Sequence, residues 1–154
     1  VTTEEHAMTD RQVSVTRTIA APRQDLFDVV ADHHRHAEID GSGTVKGSLS
    51  GPERLELGAK FGMRMRIGLP YPIRNTVVEF EEGTLIAWRH FHGHRWRYEL
   101  RDVEGGTEVT ETFDWSRALL PAYIERAGYP EKHPRSMAAT LERLDELVAG
   151  DTVG

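Results

Sequence analysis

Alternation with a period of two runs through most of this chain, and its longest regular case lies between Thr84 and Trp115. Ile86, Trp88 and His90 share one side there, opposite Arg89. Trp96, Tyr98 and Leu100 share a side against Arg95, Arg97, Glu99 and Arg101. Val109, Glu111, Phe113 and Trp115 share a side against Glu108, Thr110, Thr112 and Asp114. Successive side chains of a strand point to opposite faces, so the pattern predicts three antiparallel strands with one buried and one wet face. The turns fall at His92-Gly93 and Glu104-Gly105-Gly106, where glycine supplies hairpin geometry.

The same period marks Gln12–Ile19 and Ala59–Ile67. In the second stretch Phe61, Met63, Met65 and Ile67 oppose Arg64 and Arg66. Thr44–Leu49 reads as a further strand. Ile73–Glu81 reads as another, with Thr76, Val78 and Phe80 expected to point inward. Helical spacing appears at Pro22–Ala31, in a short element before Gly41, and at Ser116–Ala127 with an interruption at Pro121. The strongest helix is Pro134–Ala149, with Met137, Leu141, Leu144 and Val148 on one stripe and Gly150 as a stop. Gly128-Tyr129-Pro130 reads as a loop.

A long run of strands must bury its apolar face, and the terminal helix is the one long amphipathic element left to cover it. The expected class is therefore α+β: a strongly bent antiparallel sheet of about six to seven strands wrapped around a long C-terminal helix. One or two short helices follow the first strand. The expected organisation is a disordered lead over residues 1–10, a single domain over 11–150 and a tail over 151–154.

Composition narrows the picture further. The 154 residues carry a formal net charge of −6, which argues against a nucleic-acid surface. No apolar run approaches the roughly 18 residues of a membrane span. The N-terminal residues lack a signal-peptide pattern, so a cytoplasmic location is expected. There is no cysteine, hence no disulfide or thiolate chemistry.

Two polar residues interrupt the apolar face. Glu111, between Val109 and Phe113, is placed to be a desolvated carboxyl, fit either for acid–base work or for a structural ion pair. His90 and Tyr98 share that face and complete the only catalytic set the chain offers. His90, His92 and His94 are separated by a turn at Gly93, which is expected to keep them from converging. No metal-ligand spacing is recognised there or at His33, His34 and His36, and no metal or cofactor is expected.

The phrases IAAPRQDLFDVVAD, LIAWRHF, RWRYEL and GGTEVTETFDWS, in this order of elements, resemble the polyketide cyclase/dehydrase-like branch of the START-like (SRPBCC) superfamily over Gln12–Gly150. The resemblance implies a helix-grip fold with a cavity between sheet and C-terminal helix. It implies no single function, because the superfamily includes lipid carriers, hormone receptors, cyclases and chaperone activators. The reading that follows is a domain that binds a hydrophobic small molecule, lipid-, polyketide- or aromatic-like. The expected liners are Phe61, Met63, Met65, Trp88, Trp96, Phe113, Met137, Leu141 and Leu144, together with Glu111, His90 and Tyr98. Two alternatives stay open: a cyclase/dehydratase-like enzyme using those three polar groups, and an interaction module with an exposed apolar patch and a collapsed cavity. The expected partners are the small molecule and no nucleic acid, with a monomer or homodimer as the assembly.

Overall fold

The structure, a computed structural model, describes residues 4–150. Its strands are β1 (Glu4–Thr9), β2 (Gln12–Ile19), β3 (Val45–Ser50), β4 (Lys60–Ile67), β5 (Leu69–Glu81), β6 (Leu85–His90), β7 (Arg95–Val103) and β8 (Gly106–Asp114). They form one antiparallel sheet in the order β1-β2-β8-β7-β6-β5-β4-β3. Helices α1 (Arg23–Val30) and α2 (His36–Ile39) follow β2, and α3 (Pro121–Arg126) and α4 (Tyr129–Val148) follow β8. The architecture is the expected helix-grip fold.

Glu4–Thr9 was expected to lie outside the fold, and instead pairs with the Gln12–Arg17 part of β2. An edge strand is held by main-chain bonds and needs no alternation of its own, so its polar composition did not announce it. Asp10 and Arg11, both at positive φ, turn the chain between the two strands. The rest of the expected lead, residues 1–3, and the expected tail, 151–154, lie outside the described residues.

The bend and pairing of β2 with β8 place Val13, Val15, Val109 and Phe113 on the concave face, all buried. Paired hydroxyls, Ser14 with Thr112 and Thr16 with Thr110, occupy the opposite face. The arginines of β7 lie on that outer face, where Arg95 and Arg97 grip Glu79 and Arg101 pairs with Glu108. In β5 the inward residues differ from expectation. A register shift between Val77 and Glu79 breaks the period of two, so Asn75 and Val77 are buried and Phe80 packs three positions later against Phe27.

The terminal helix begins at Tyr129, five residues before the predicted start. Gly128, at φ 81°, supplies the left-handed entry. Pro130 stands in the first turn, where a missing N–H costs nothing. Farther along, Met137, Leu141 and Leu144 are each 1% exposed or less. Burial of such side chains stabilises by about 1.5–3 kcal/mol apiece. Arg17 of β2 reaches Asp145 of α4 at 3.0 Å and ties helix to sheet. Two other elements start where their prolines allow: α3 begins at Pro121 itself, and α1 follows Pro22.

The segment between α2 and β3 is pressed onto α4. Gly41 donates its N–H to Thr140 Oγ1, and a Cβ at Gly41 would stand 2.3 Å from the Ser136 carbonyl oxygen. Replacing Gly41 by Ala is therefore expected to destabilise the chain by about 1–3 kcal/mol through overpacking. The urea midpoint measures it, with Gly150→Ala, which meets nothing within 4 Å, as the neutral comparison.

Candidate functional site

A cavity of about 760 Å³ opens between the N-terminal half of α4 and the concave face. That volume falls in the ~300–1,000 Å³ range of small-molecule sites. The helix contributes Tyr129, Lys132, His133, Ser136, Met137 and Thr140, and no residue beyond Thr140. The sheet contributes Phe61, Met63, Met65, Trp88, Trp96, Tyr98, Glu111 and Phe113 among others, and α2 adds His36 and Ile39. Every expected liner borders this space except Leu141 and Leu144. Those two, both fully buried, pack into the core where α4 lies down on β2. Helical spacing identified the buried stripe of α4, but the stripe meets two environments: cavity in its first half, core in its second.

The apolar walls are largely aromatic. Trp88 stacks on His36 with ring centres 4.9 Å apart and meets Phe61 edge-on at 5.6 Å. Phe113 packs on Trp96 at 4.8 Å and against His133 at 4.5 Å. Such offset and edge-on contacts rigidify a wall beyond what area alone provides.

Glu111 stands on this wall, 4% exposed. The Tyr98 hydroxyl, across the β7–β8 ladder, donates to Glu111 Oε1 at 2.9 Å. Glu111 Oε2 is buried and has no hydrogen-bond partner among the described residues. Burial pushes the Glu111 carboxyl up to about 8, against the downward pull of the Tyr98 bond, and the charge of Asp40 adds to the rise. Burial and the neighbouring Glu111 also raise Tyr98 well above the usual phenol range, so its hydroxyl stays a donor. At neutral pH Glu111 is therefore a carboxylic acid. Oε1 accepts from Tyr98, which leaves Oε2 to carry the proton as an O–H donor without an acceptor. The one nearby carboxylate, Asp40, is occupied by Ser42 and the Val45 N–H.

Histidines collect at the other end. His90 lies with its ring centre 4.7 Å from His94 and 5.4 Å from His92. The turn at Gly93 was expected to separate these residues, and it folds them together. His90 donates its N–H to the His94 carbonyl and accepts from the Gly93 N–H, so the loop closes tightly on itself. Burial lowers His90 to about 4, His94 to about 3 and His133 to about 4, so all three are neutral at pH 7. His94 Nδ1 is a second buried atom without a partner. Among the described residues no group of three or more His, Asp or Glu side chains is arranged to hold a metal ion.

The three nominated catalytic residues do not form one constellation. Tyr98 opposes Ile86 in the β6–β7 ladder, and His90 lies four residues farther along β6. At 3.3 Å per residue that is roughly 13 Å. Glu111 and Tyr98 make one polar end of the cavity, and His90 belongs to the other. Sequence reasoning missed His133, which fell between the loop at Gly128-Tyr129-Pro130 and the predicted helix start; His36, weighed only as a metal ligand in a segment expected at the cavity mouth, faces Trp88 from α2 and bonds the Val30 carbonyl.

Comparison with known proteins agrees with this geometry. Residues 10–149 match the model of the family described as polyketide cyclase / dehydrase and lipid transport, and the chain belongs to that family. It is 39% identical over 144 residues to the uncharacterized protein Rv0088 of Mycobacterium tuberculosis, an alignment covering 90% of this chain. The alignment covers only 64% of that relative's length. A crystal structure of a Rhodobacter sphaeroides protein superposes with TM-score 0.75 at 15% identity, covering 96% of this chain and 99% of the other. A Polyketide_cyc-like protein from Corynebacterium glutamicum superposes with TM-score 0.61 at 18% identity, covering 92% and 93%. These structural likenesses establish the fold.

Opposed titrations set a pH dependence of stability. Between the ordinary carboxylate value of 4.5 and about 8, the folded chain keeps a proton on Glu111 that the unfolded chain releases, so stability falls as pH rises. Below 6.5 the unfolded chain protonates His36, His90, His94 and His133, which the folded chain keeps neutral down to between about 3 and 4, so stability falls as pH drops. Urea midpoints are expected to peak at about pH 7, where the four unfolded-state histidines together take up roughly the one proton that Glu111 keeps in the fold. Glu111→Gln is expected to flatten the alkaline limb only.

Proposed function

We propose that this domain binds a neutral, hydrophobic small molecule, polyketide-, lipid- or aromatic-like, bearing an oxygen that accepts a hydrogen bond from Glu111. The observation that carries the reading is an aromatic cavity of about 760 Å³ ending on a buried carboxyl oxygen without a partner. A buried donor left unpaired costs on the order of 1–3 kcal/mol, which a ligand oxygen would recover. The neutral imidazoles and carboxyl of the inner cavity offer nothing to compensate a buried ligand charge, and the lining cation Lys132 is exposed at the rim with its ammonium on the Ala127 carbonyl. The family's description, which includes lipid transport, supports the same class. The reading concerns this domain, since the chain spans 64% of the length of the curated relatives it matches.

An enzymatic role draws on the same carboxyl. An acid titrating at about 8 can give and retake a proton at neutral pH, as a carbonyl-directed cyclisation or dehydration requires. Tyr98 would act as positioning residue, and His90 has no part in it. The interaction-module reading presupposed a collapsed cavity, and the open cavity weighs against it.

Native mass spectrometry of the purified chain should reveal a co-purifying neutral molecule. Trp88 and Trp96 make binding readable by fluorescence quenching. Glu111→Leu should weaken an oxygen-bearing ligand about fivefold, the worth of one neutral hydrogen bond, and leave a hydrocarbon of the same shape unchanged. Equal affinities of wild type and variant for the oxygenated ligand would sink the assignment. Glu111→Gln that binds normally but stops turnover would favour the enzyme.

A further inference from the structure

The mouth of the cavity is ringed by side chains that a water-facing surface has no reason to carry. Ile67 and Leu69 sit at the β4–β5 tip, Phe91 on the β6–β7 turn, Leu119 and Leu120 before α3, and Tyr123 on α3. Leu69 is 79% exposed, Leu119 73% and Leu120 68%. All of these except Leu69 border the cavity, and Leu69 pairs with Ile67 in the hairpin. The collar is structurally continuous. Leu119 donates its N–H to the His92 carbonyl, Gly93 abuts the Arg117 backbone, and Tyr71, its pKa raised first by burial, also feels the neighbouring Tyr129. Isolated exposed leucines need no explanation, but a connected set around an opening marks a contact site.

Charge selects the occupant. The whole chain is acidic, at −6, yet the stretch from Arg64 to Arg74 holds three arginines and no acid. From Ser116 to Arg135 the bases Arg117, Arg126, Lys132 and Arg135 face only Glu125 and Glu131, and Glu125 is already held by Arg11 and Trp115. Arg66, Arg117 and Arg126 make no ion pair among the described residues. Two copies meeting collar to collar would bring like charges together, which a symmetric interface cannot relieve. An anionic bilayer satisfies both features at once, taking the leucines among its chains and the arginines among its headgroups.

We infer that the cavity mouth docks on an anionic lipid surface, with the β4–β5 tip and the segment before α3 inserted and Arg66 and Arg117 at headgroup level. The inference rests on the ligand-binding reading for its purpose, since docking would let a hydrophobic molecule pass between bilayer and cavity without crossing water.

Flotation with vesicles of phosphatidylcholine, with and without phosphatidylglycerol, tests it. Binding should require the anionic lipid and weaken as salt rises. The pair Leu69→Ser and Leu120→Ser should lower partitioning at least about tenfold, from the apolar area lost. Arg66→Glu and Arg117→Glu should each lower it about fivefold or more. All four positions are exposed, and the variants should keep wild-type circular dichroism; those at Leu69, Arg66 and Arg117, which do not border the cavity, should also keep wild-type quenching by a cavity ligand in vesicle-free buffer. Absence of vesicle binding, binding indifferent to these substitutions, or a wild-type dimer that the same substitutions dissociate in sedimentation equilibrium would each overturn docking. Docking that persists in a chain without ligand quenching would overturn the binding reading alone, so the two ideas fail separately.

Discussion

A single helix has to cover the concave face of an eight-stranded sheet, and it is too narrow to do so. Strands about 4.8 Å apart make such a sheet roughly 34 Å across before bending. A helix with its side chains is only about 10–12 Å wide. The second half of the apolar stripe of α4 is used up on β2 and β8, where Leu141 and Leu144 are sealed. Helix α1 fills the space beside that contact with Leu26, Phe27 and Val30. What remains over β4–β7 is covered by the first half of α4, by α2 and by large aromatic side chains, and these bridge the gap without filling it. The cavity follows from the mismatch between one helix and a wide sheet. Its lining is aromatic because only large side chains can reach across such a space.

Within that setting Glu111 is a residue that packing alone would not choose. Its neighbours Val15, Val109 and Phe113 are all but fully buried, and a leucine there would add apolar area without a desolvation cost. The carboxyl is instead kept neutral by burial and held in direction by Tyr98. A charged pair would have satisfied both partners and closed the site to other use. The neutral acid leaves one oxygen unanswered. That asymmetry, with the bond to Tyr98 made and the second bond lacking, gives the site its chemical meaning.

The legible part of the chain was the part governed by local period. Alternation located β2, β4 and β6–β8, and identified the inward residues from Phe61 to Phe113. Other features answered to forces that leave no period. Strand β1 is held by main-chain pairing, so its polar sequence concealed it. The bulge in β5 moved Asn75 and Val77 inward where strict alternation put Thr76 and Val78. The start of α4 was masked by its prolines: Pro130 read as loop and Pro134 as the first residue of the helix, although Gly128 launches a helix through both. That error hid His133, and with it the histidine end of the cavity. The Gly93 turn misled for a related reason: a turn separates residues along the chain but can bring their rings together in space. For the same reason His90 could be placed on the correct face yet not at its distance from Glu111, which depends on how far along the ladder each stands.

The distribution of charge links the cavity to its collar. Inside, Glu111 holds its proton, His90, His94 and His133 lack theirs, and Asp40 is bound by Ser42 and Val45, while the exposed Lys132 at the rim turns its ammonium to the Ala127 carbonyl. Outside, arginines without acidic partners stand beside the exposed leucines of the mouth. A polar headgroup and an apolar body thus meet opposite receptions a few residues apart. A molecule entering from a lipid surface would leave charge at the arginines and bring only neutral atoms past the histidines. The Glu111 proton is a strong directional contact awaiting it at the far end of the cavity, where its orientation is set. Selection against charge at the mouth and selection for an oxygen at the end are separate steps, carried by different residues. Substitutions at Leu69, Arg66 and Arg117, which stand outside the lining, should therefore change how the molecule arrives without changing which molecule is held.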